Sequence, residues 1–105
     1  MMVIITYDVE TLTPAGRKRL RMVAKECKNY GVRVQNSVFE CVLDNALFIK
    51  LKSILDNIID KEKDSIRFYF MGNKWDHHIE TLGVERGVKV DSVLILWQLR
   101  TLSIS

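Results

Sequence analysis

This sequence lacks the signals that direct a protein to a membrane or out of the cell. Its first residues, MMVIITYD, include no positively charged leader and no small-residue cleavage site, so we expect no signal peptide. The longest purely apolar run, VLILW, is far too short to span a bilayer. The two cysteines, Cys27 and Cys41, lack CxxC or zinc-ligand spacing and are predicted to be buried, reduced thiols. We therefore expect a cytoplasmic protein with no membrane contact.

The positive charge of the chain is concentrated in one segment. The whole sequence of 105 residues has a net charge of +3, but residues 13–31 alone contain six basic residues and one acidic residue. The rest of the chain is net negative, so the positive excess forms a directed patch, which is typical of contact with a polyanion.

The first third of the chain predicts a strand followed by a helix. VIITYDV, residues 3–9, is rich in β-formers, and its next-to-last residue is the acidic Asp8. Thr13 is a candidate N-cap, Pro14 fits the first helical position, and Gly31 is expected to end the helix in the left-handed conformation. The predicted inward face consists of Leu20, Val23, Ala24, Cys27 and Tyr30. The predicted outward face consists of Lys18, Arg21, Lys25 and Lys28.

The remaining pattern completes an α+β fold. VRVQNSVFECVL predicts two strands joined by a tight turn at Asn36 and Ser37. Asp44 can cap a second helix, which the charged segment DKEKDS ends, and IRFYFMG predicts a fourth strand that stops at Gly72. The predicted apolar stripe of that helix is Leu47, Leu51, Ile54, Leu55 and Ile58. The order βαββαβ predicts a ferredoxin-like sandwich in a single domain, residues 1–105, with a core of about 1–72 and a tail of about 73–105. In the tail we expect a loop and then a fifth strand near residues 92–97.

Both faces of the predicted sheet are partly apolar, which favours a homodimer. In IRFYFMG, Ile66, Phe68 and Phe70 alternate with Arg67, Tyr69 and Met71. Two helices can cover only one face of a four-stranded sheet, so a second copy of the chain is the simplest cover for the other face, with the C-terminal strand exchanged between partners. The alternative is a tail that folds back over its own sheet.

Asp8 is the candidate metal ligand, and the residues alone leave its role open. A hard cation needs several oxygen ligands, which a two-fold axis near Asp8 would help to supply from both protomers. The alternative is an ordinary strand-end acid that pairs with Arg17.

Several stretches together resemble a known family. TYDV ends the first strand, an Arg/Lys-rich helix follows, and GVRVQNSVFE spans the second and third strands. At this spacing they resemble the CRISPR-associated protein two family, whose members are small, dimeric, ferredoxin-like nucleases. The resemblance covers nearly the whole chain except residues 73–87. The stretch KRLRMVAKECKNYGVRVQNSVFECVL is similar to the version found with type I-C systems.

The resemblance implies a function and a set of site residues. It implies a metal-dependent endonuclease acting on double-stranded DNA or RNA, and a homodimer at the centre of the spacer-acquisition complex with the CRISPR integrase. The family's metal-binding aspartate maps onto Asp8, where Mg²⁺ or Mn²⁺ is expected. Supporting family positions map onto Tyr7, Arg33 and Phe39. Nucleic-acid contacts are expected at Arg17, Lys18, Arg19, Arg21 and Arg33.

Three other functions compete with this interpretation. A non-catalytic DNA-binding scaffold would need the same fold and dimer, and a toxin-like ribonuclease would share the family. An RNA-recognition module shares the element order, but its K/R-G-F/Y-G/A-F motif is absent. His77 and His78 are adjacent and are read as loop residues, because neighbouring side chains in extended backbone point apart. Trp75 and Trp97 are read as packing residues of the tail.

Overall fold

The computed structural model describes residues 1–71 and 78–84, in which two helices pack on one face of a five-stranded antiparallel sheet. The elements are β1 (Met2–Asp8), α1 (Pro14–Tyr30), β2 (Gly31–Gln35), β3 (Val38–Val42), α2 (Asn45–Ile58), β4 (Ser65–Phe70) and β5 (His78–Gly83). The strand order is β2-β3-β1-β4-β5. The first six elements follow the predicted βαββαβ order, which confirms the α+β ferredoxin-like fold.

Both helices begin at the predicted capping residues. The Thr13 hydroxyl accepts a hydrogen bond from Gly16 N at 3.0 Å, and Pro14 is the first residue of α1. A carboxylate oxygen of Asp44 accepts from Leu47 N at 2.8 Å at the start of α2. Each cap satisfies a backbone donor that has no partner within its helix, which explains why short local motifs predicted these boundaries.

The predicted left-handed end of α1 is wrong. Gly31 is extended, with φ −162° and ψ −168°, and it is already the first residue of β2. Glycine is needed there for a different reason, because a Cβ on Gly31 would collide with the carbonyl oxygen of Glu40 and with Sγ of Cys41. The residue therefore permits a close approach between β2 and β3 rather than a special backbone angle.

The core lies between the sheet and the two helices. The predicted inward face of α1 is confirmed, with Val23 and Cys27 fully buried. In α2 the prediction was partly wrong, because Leu47 is 40% exposed whereas Phe48 is buried with Leu51 and Leu55. The spacing of these three buried residues places them on one side of a helix.

The second face of the sheet is partly apolar, as predicted. Ile4 and Tyr69 lie at its centre and are only 1% and 2% exposed. Met2, Val38, Met71 and Ile79 pack around them. This face continues to the ends of the strands that carry Asp8 and Ser65, which are paired in the sheet.

β5 is a strand in a segment that the sequence predicts to be a loop. It runs antiparallel to β4, from Phe70 opposite His78 to Ser65 opposite Gly83. HIETLG has only a weak alternation, and its strand conformation depends on hydrogen bonding to β4, the strand that precedes it. The strand predicted near residues 92–97 lies outside the described residues. The division into a core and a tail at about residue 72 stays a prediction.

Candidate metal and nucleic-acid site

Asp8 is exposed at the last position of β1. It lies opposite Ser65 of β4, and alternation along β1 places it with Ile4 and Thr6 on the face that no described helix covers. Within residues 1–71 and 78–84, no group of three or more His, Cys, Asp or Glu side chains is arranged to hold a metal ion. An exposed carboxylate suits a hard cation, but a single carboxylate supplies fewer ligands than such an ion needs.

Tyr7, Arg33 and Phe39 form a cluster of their own. The Tyr7 and Phe39 rings stack with centroids 6.1 Å apart, and the Arg33 guanidinium lies 5.3 Å from the centroid of Phe39. The Tyr7 hydroxyl donates to the carbonyl oxygen of Asn36 at 3.1 Å. Burial raises the pKa of Tyr7, and the nearby Arg33 opposes that rise only in part, so the phenol stays protonated near neutral pH.

This cluster lies on the helix-covered face, not beside Asp8. Tyr7 and Phe39 belong to the main core, whereas Asp8 projects to the other side of the sheet. The structure therefore brings the three supporting residues together but separates them from the candidate metal ligand. Tyr7 stabilises the β2–β3 turn through Asn36.

The exposed cations predicted on α1 are confirmed as exposed. Arg17, Lys18, Arg21, Lys25 and Lys28 all have exposed side chains. The Arg17 guanidinium donates to the carbonyl oxygen of Thr11 at 3.1 Å, in the segment between β1 and α1. The helix therefore presents several exposed basic side chains, of which Arg17 contacts the segment that follows β1.

Arg19 differs from the other α1 arginines. Its Nε donates to Oδ2 of Asp64 at 2.7 Å, and its side chain is only 16% exposed. Burial alone would raise the pKa of Asp64, but hydrogen bonds from Arg19 and from two backbone amides outweigh it and lower that pKa. The guanidinium of Arg19 is therefore held by a buried carboxylate inside the protein, and the phosphate contact at Arg19 stays a prediction.

Both cysteines are free and buried, as predicted. Burial is the main reason that the pKa rises to about 12 for Cys27 and to about 11 for Cys41. Thiols with such pKa values are protonated at neutral pH and are poor nucleophiles and metal ligands.

His78 lies on β5 and not in a loop. Its Nε2 is 3.2 Å from Oε2 of Glu80, and the other oxygen of Glu80 accepts a hydrogen bond from Lys52 of α2. The hydrogen bond from Lys52 is the main reason that the pKa of Glu80 is lowered. His77, Trp75 and Trp97 lie outside the described residues.

Sequence reasoning missed two features of this region. The first is the role of Asp64, which lies directly before a buried strand within what reads as a solvated charge cluster. The second is an open cleft of about 720 Å³ between α2 and β5, with Phe48, Ile49 and Leu82 among its lining residues. The cleft is on the helix-covered side of the sheet, so it is separate from the face that carries Asp8.

Comparison with known proteins agrees with this fold. The family described as CRISPR associated protein Cas2 matches residues 1–79. The chain belongs to the Cas2 family. It is 52% identical over 96 residues to the CRISPR-associated endoribonuclease Cas2 of Chlorobaculum tepidum, a match that covers 91% of this chain and 100% of the relative.

Other Cas2 proteins show similar relationships. The chain is 50% identical over 95 residues to the CRISPR-associated endonuclease Cas2 of Halalkalibacterium halodurans, covering 90% of this chain and 99% of the relative. The crystal structure of Streptococcus pyogenes Cas2 at pH 6.5 matches with a TM-score of 0.65 and 61% identity, covering 79% of this chain and 100% of that one. The predicted membership of a CRISPR-associated nuclease family is confirmed, whereas the type I-C assignment stays a prediction.

No helix within the described ranges is long and apolar enough to cross a membrane.

Proposed function

We propose that two copies of this chain form a metal-dependent endonuclease, in which Asp8 of each copy binds one shared divalent cation. The observation that carries the proposal is the position of Asp8, which is exposed at the end of β1 on the face that neither described helix covers, with five residues between it and the basic helix α1. Endonuclease and endoribonuclease are also the activities in the names of the H. halodurans and C. tepidum relatives.

The donor set supports Mg²⁺ or Mn²⁺ as the cation. These ions prefer oxygen ligands and usually keep several waters beside one or two carboxylates. Two copies of Asp8 would provide those carboxylates. When bound, such an ion polarises a phosphoryl oxygen and lowers the pKa of a coordinated water. The role of Asp8 in this chain is to hold and orient the ion.

Exposed apolar side chains on the same face support the homodimer. Val32 and Val42 are 59% and 71% exposed, and pairing within the sheet places both on the face that carries Asp8. A second copy seated on this face would remove them from water, which is favourable for association.

The exposed cations of α1 would hold the substrate backbone. Arg17, Lys18 and Arg21 are exposed near the start of the helix, and Arg33 is exposed on the adjacent strand β2. Contacts to phosphates position a nucleic acid but carry no sequence information directly, so we propose sequence-tolerant binding of double-stranded DNA or RNA. In this arrangement the cations of the two α1 helices hold the nucleic-acid backbone, while Asp8 holds the metal ion at the phosphate to be cleaved.

The test is cleavage by the Asp8→Asn variant. This substitution keeps the side-chain shape but removes the charge that a divalent cation needs. We expect loss of Mg²⁺- and Mn²⁺-dependent cleavage with an unchanged dimer mass by light scattering. Asp56→Asn is the matched control, because Asp56 is a carboxylate of α2 that pairs with Lys61 at 3.3 Å. Cleavage that persists in Asp8→Asn and responds to EDTA would exclude Asp8 as the ligand.

A scaffold at the centre of the spacer-acquisition complex is the second candidate. One observation favours it: the described residues of a single chain contain no group of three or more side chains that could hold a metal ion, whereas the exposed cations of α1 are present in each copy. Such a dimer would bridge DNA and the CRISPR integrase in the cytoplasm, where the free thiols of Cys27 and Cys41 persist. Spacer acquisition supported by Asp8→Asn in cells would show that scaffolding is sufficient. Its loss together with cleavage would favour catalysis.

A further inference from the structure

Asp64 is a fully buried carboxylate that joins three separate segments of the chain. It is 0% exposed and lies between α2 and β4. Its Oδ1 accepts a hydrogen bond from Glu10 N at 3.0 Å, and its Oδ2 accepts from Asp60 N at 2.9 Å. Arg19 donates to both oxygens, from Nε at 2.7 Å and from Nη2 at 3.4 Å. A buried charge is stable only when it is paired and hydrogen-bonded to this extent.

One of these partners is directly connected to the candidate metal ligand. Glu10 lies two residues after Asp8, in the segment between β1 and α1. Asp64 also precedes Ser65, which is opposite Asp8 in the sheet. The strand that carries Asp8 therefore leads to Glu10, and the strand paired with it begins directly after Asp64, so both are joined to the Asp64 hydrogen-bond network.

The Glu10 peptide is restrained on its other side as well. Its carbonyl oxygen faces Gly16 of α1 so closely that a Cβ on Gly16 would collide with it. The amide of Glu10 is thus held by Asp64 while its carbonyl packs against the first turn of α1. Little freedom remains in the backbone that leaves Asp8.

Arg19 is the residue that couples this network to the basic helix. Its neighbours on α1, Lys18 and Arg21, are exposed, whereas Arg19 is turned inward onto Asp64. A guanidinium with two of its nitrogens on one carboxylate is a rigid and directional contact. Arg19 therefore fixes α1, with its exposed cations, relative to the segment that follows Asp8.

We propose that Arg19 and Asp64 form a positioning pair that fixes the backbone after Asp8, and that Arg19 affects cleavage through this contact and not by binding phosphate. This inference rests on the proposed function and deepens it. It separates the α1 arginines into two classes, since Arg17 and Arg21 remain available to the nucleic acid.

The experiment compares Arg19→Gln with Arg21→Gln, a matched change two residues away on the same helix. A DNA duplex is the probe, and its dissociation constant is measured in EDTA at several salt concentrations. We expect Arg21→Gln to weaken binding and to reduce the salt slope by about one. Arg19→Gln should leave both quantities unchanged, while kcat with Mg²⁺ falls about 10- to 100-fold, because a small displacement of a group at the reacting centre can cost about 100-fold in rate.

A second readout does not depend on cleavage. Amide hydrogen exchange is measured at Glu10 and Asp60, whose N–H groups donate to Asp64, with Ile5 in the central strand as the reference for global stability. Arg19→Gln should lower protection at Glu10 and Asp60 more than at Ile5, and Arg21→Gln should not. Arg19→Lys, which keeps the charge but not the forked geometry, provides a second variant if Arg19→Gln does not fold.

The outcomes separate this inference from the proposed function. A wild-type protein that never cleaves would refute the endonuclease, but the exchange measurement would still decide whether Arg19 and Asp64 order the segment after Asp8. Equal weakening of duplex binding by Arg19→Gln and Arg21→Gln, with kcat unchanged for Arg19→Gln, would overturn the positioning role. Unchanged protection at Glu10 would overturn it as well.

Discussion

Replacing Gly16 with alanine should destabilise the protein, although helix propensity alone favours the opposite result. Gly16 is the third residue of α1, and alanine is preferred to glycine in a helix by about 1 kcal/mol. In this structure, however, a Cβ on Gly16 would lie 3.0 Å from the carbonyl carbon of Glu10 and still closer to its oxygen. Because the obstacle is backbone, no side-chain rotation can relieve the collision.

The expected magnitude follows from what must move. Forcing an extra methyl into a packed site costs about 1–3 kcal/mol, from which the propensity gain of about 1 kcal/mol is subtracted. Displacement of Glu10 would also weaken its hydrogen bond to Asp64, which is worth about 1 kcal/mol or more. We therefore expect a net loss of about 2 kcal/mol in the free energy of unfolding, or roughly 10 °C in Tm for a domain of this size.

Urea and thermal unfolding followed by circular dichroism would measure this change. Ala15→Gly is the matched control, because Ala15 is exposed in the same turn and reports helix propensity without the collision. Gly16→Ala should also reduce cleavage, since the displaced segment follows Asp8. A Gly16→Ala protein that unfolds at a higher urea concentration than the wild type would refute the reasoning.

Four further outcomes are expected. Because the pKa of Asp64 is lowered in the folded protein, the stabilisation it provides is complete above its unfolded pKa of about 4 and is lost as the pH falls through the folded value. In a plot of the urea unfolding midpoint against pH, the decline at acidic pH should therefore be shallower for Asp64→Asn than for the wild type. An equally steep decline would contradict this. The affinity for a DNA duplex should fall steeply with salt concentration, and Lys28→Gln should reduce the slope of log affinity against log salt concentration by about one. A slope near zero for the wild type would exclude phosphate contacts. Phe48→Ala should lower the free energy of unfolding in urea by about 3–5 kcal/mol, because Phe48 packs against two aromatic rings with centroids at 5.2 and 4.9 Å. Ile49→Ala should change that free energy little, since Ile49 is 65% exposed. Similar losses for the two variants would contradict this packing. Cys27 should resist alkylation in the folded protein at pH 8 and react only on unfolding, because its pKa is about 12; rapid labelling without denaturant would contradict this.

The elements that sequence alone predicted are those fixed by local chemistry. Thr13 and Pro14 mark the start of α1, and Asp44 marks the start of α2, because each motif satisfies or removes backbone donors within one helical turn. Asn36 and Ser37 form the predicted turn between β2 and β3. None of these features requires knowledge of distant residues.

The features that the sequence did not reveal depend on contacts between separate segments of the chain. Asp64 lies in a charged segment that reads as solvated, but its donors are 54, 45 and 4 residues away, at Glu10, Arg19 and Asp60. β5 likewise exists as a strand through its pairing with β4. Arg19 was grouped with the other cations of α1 because helical spacing cannot show that a buried acid lies beside it.

The candidate site likewise combines features that local sequence predicts with features that it does not. The position of Asp8 at a strand end was predictable, because a short β-rich run followed by a helix cap leaves few alternatives. The separation of Tyr7 and Phe39 from Asp8 follows from strand alternation once the register is known. Their relation to Arg33 required the pairing between β2 and β3.

The direct passage from α1 into β2 limits how this chain can change in length. Tyr30 ends the helix and Gly31 begins the strand, with no intervening residue. Inserting or deleting one residue in α1 would rotate everything beyond it by about 100°, which would turn β2 away from β3 or the basic side chains away from their present direction. The length of α1 is therefore fixed by the structure. Insertions such as affinity tags or fused domains belong in connections between other elements.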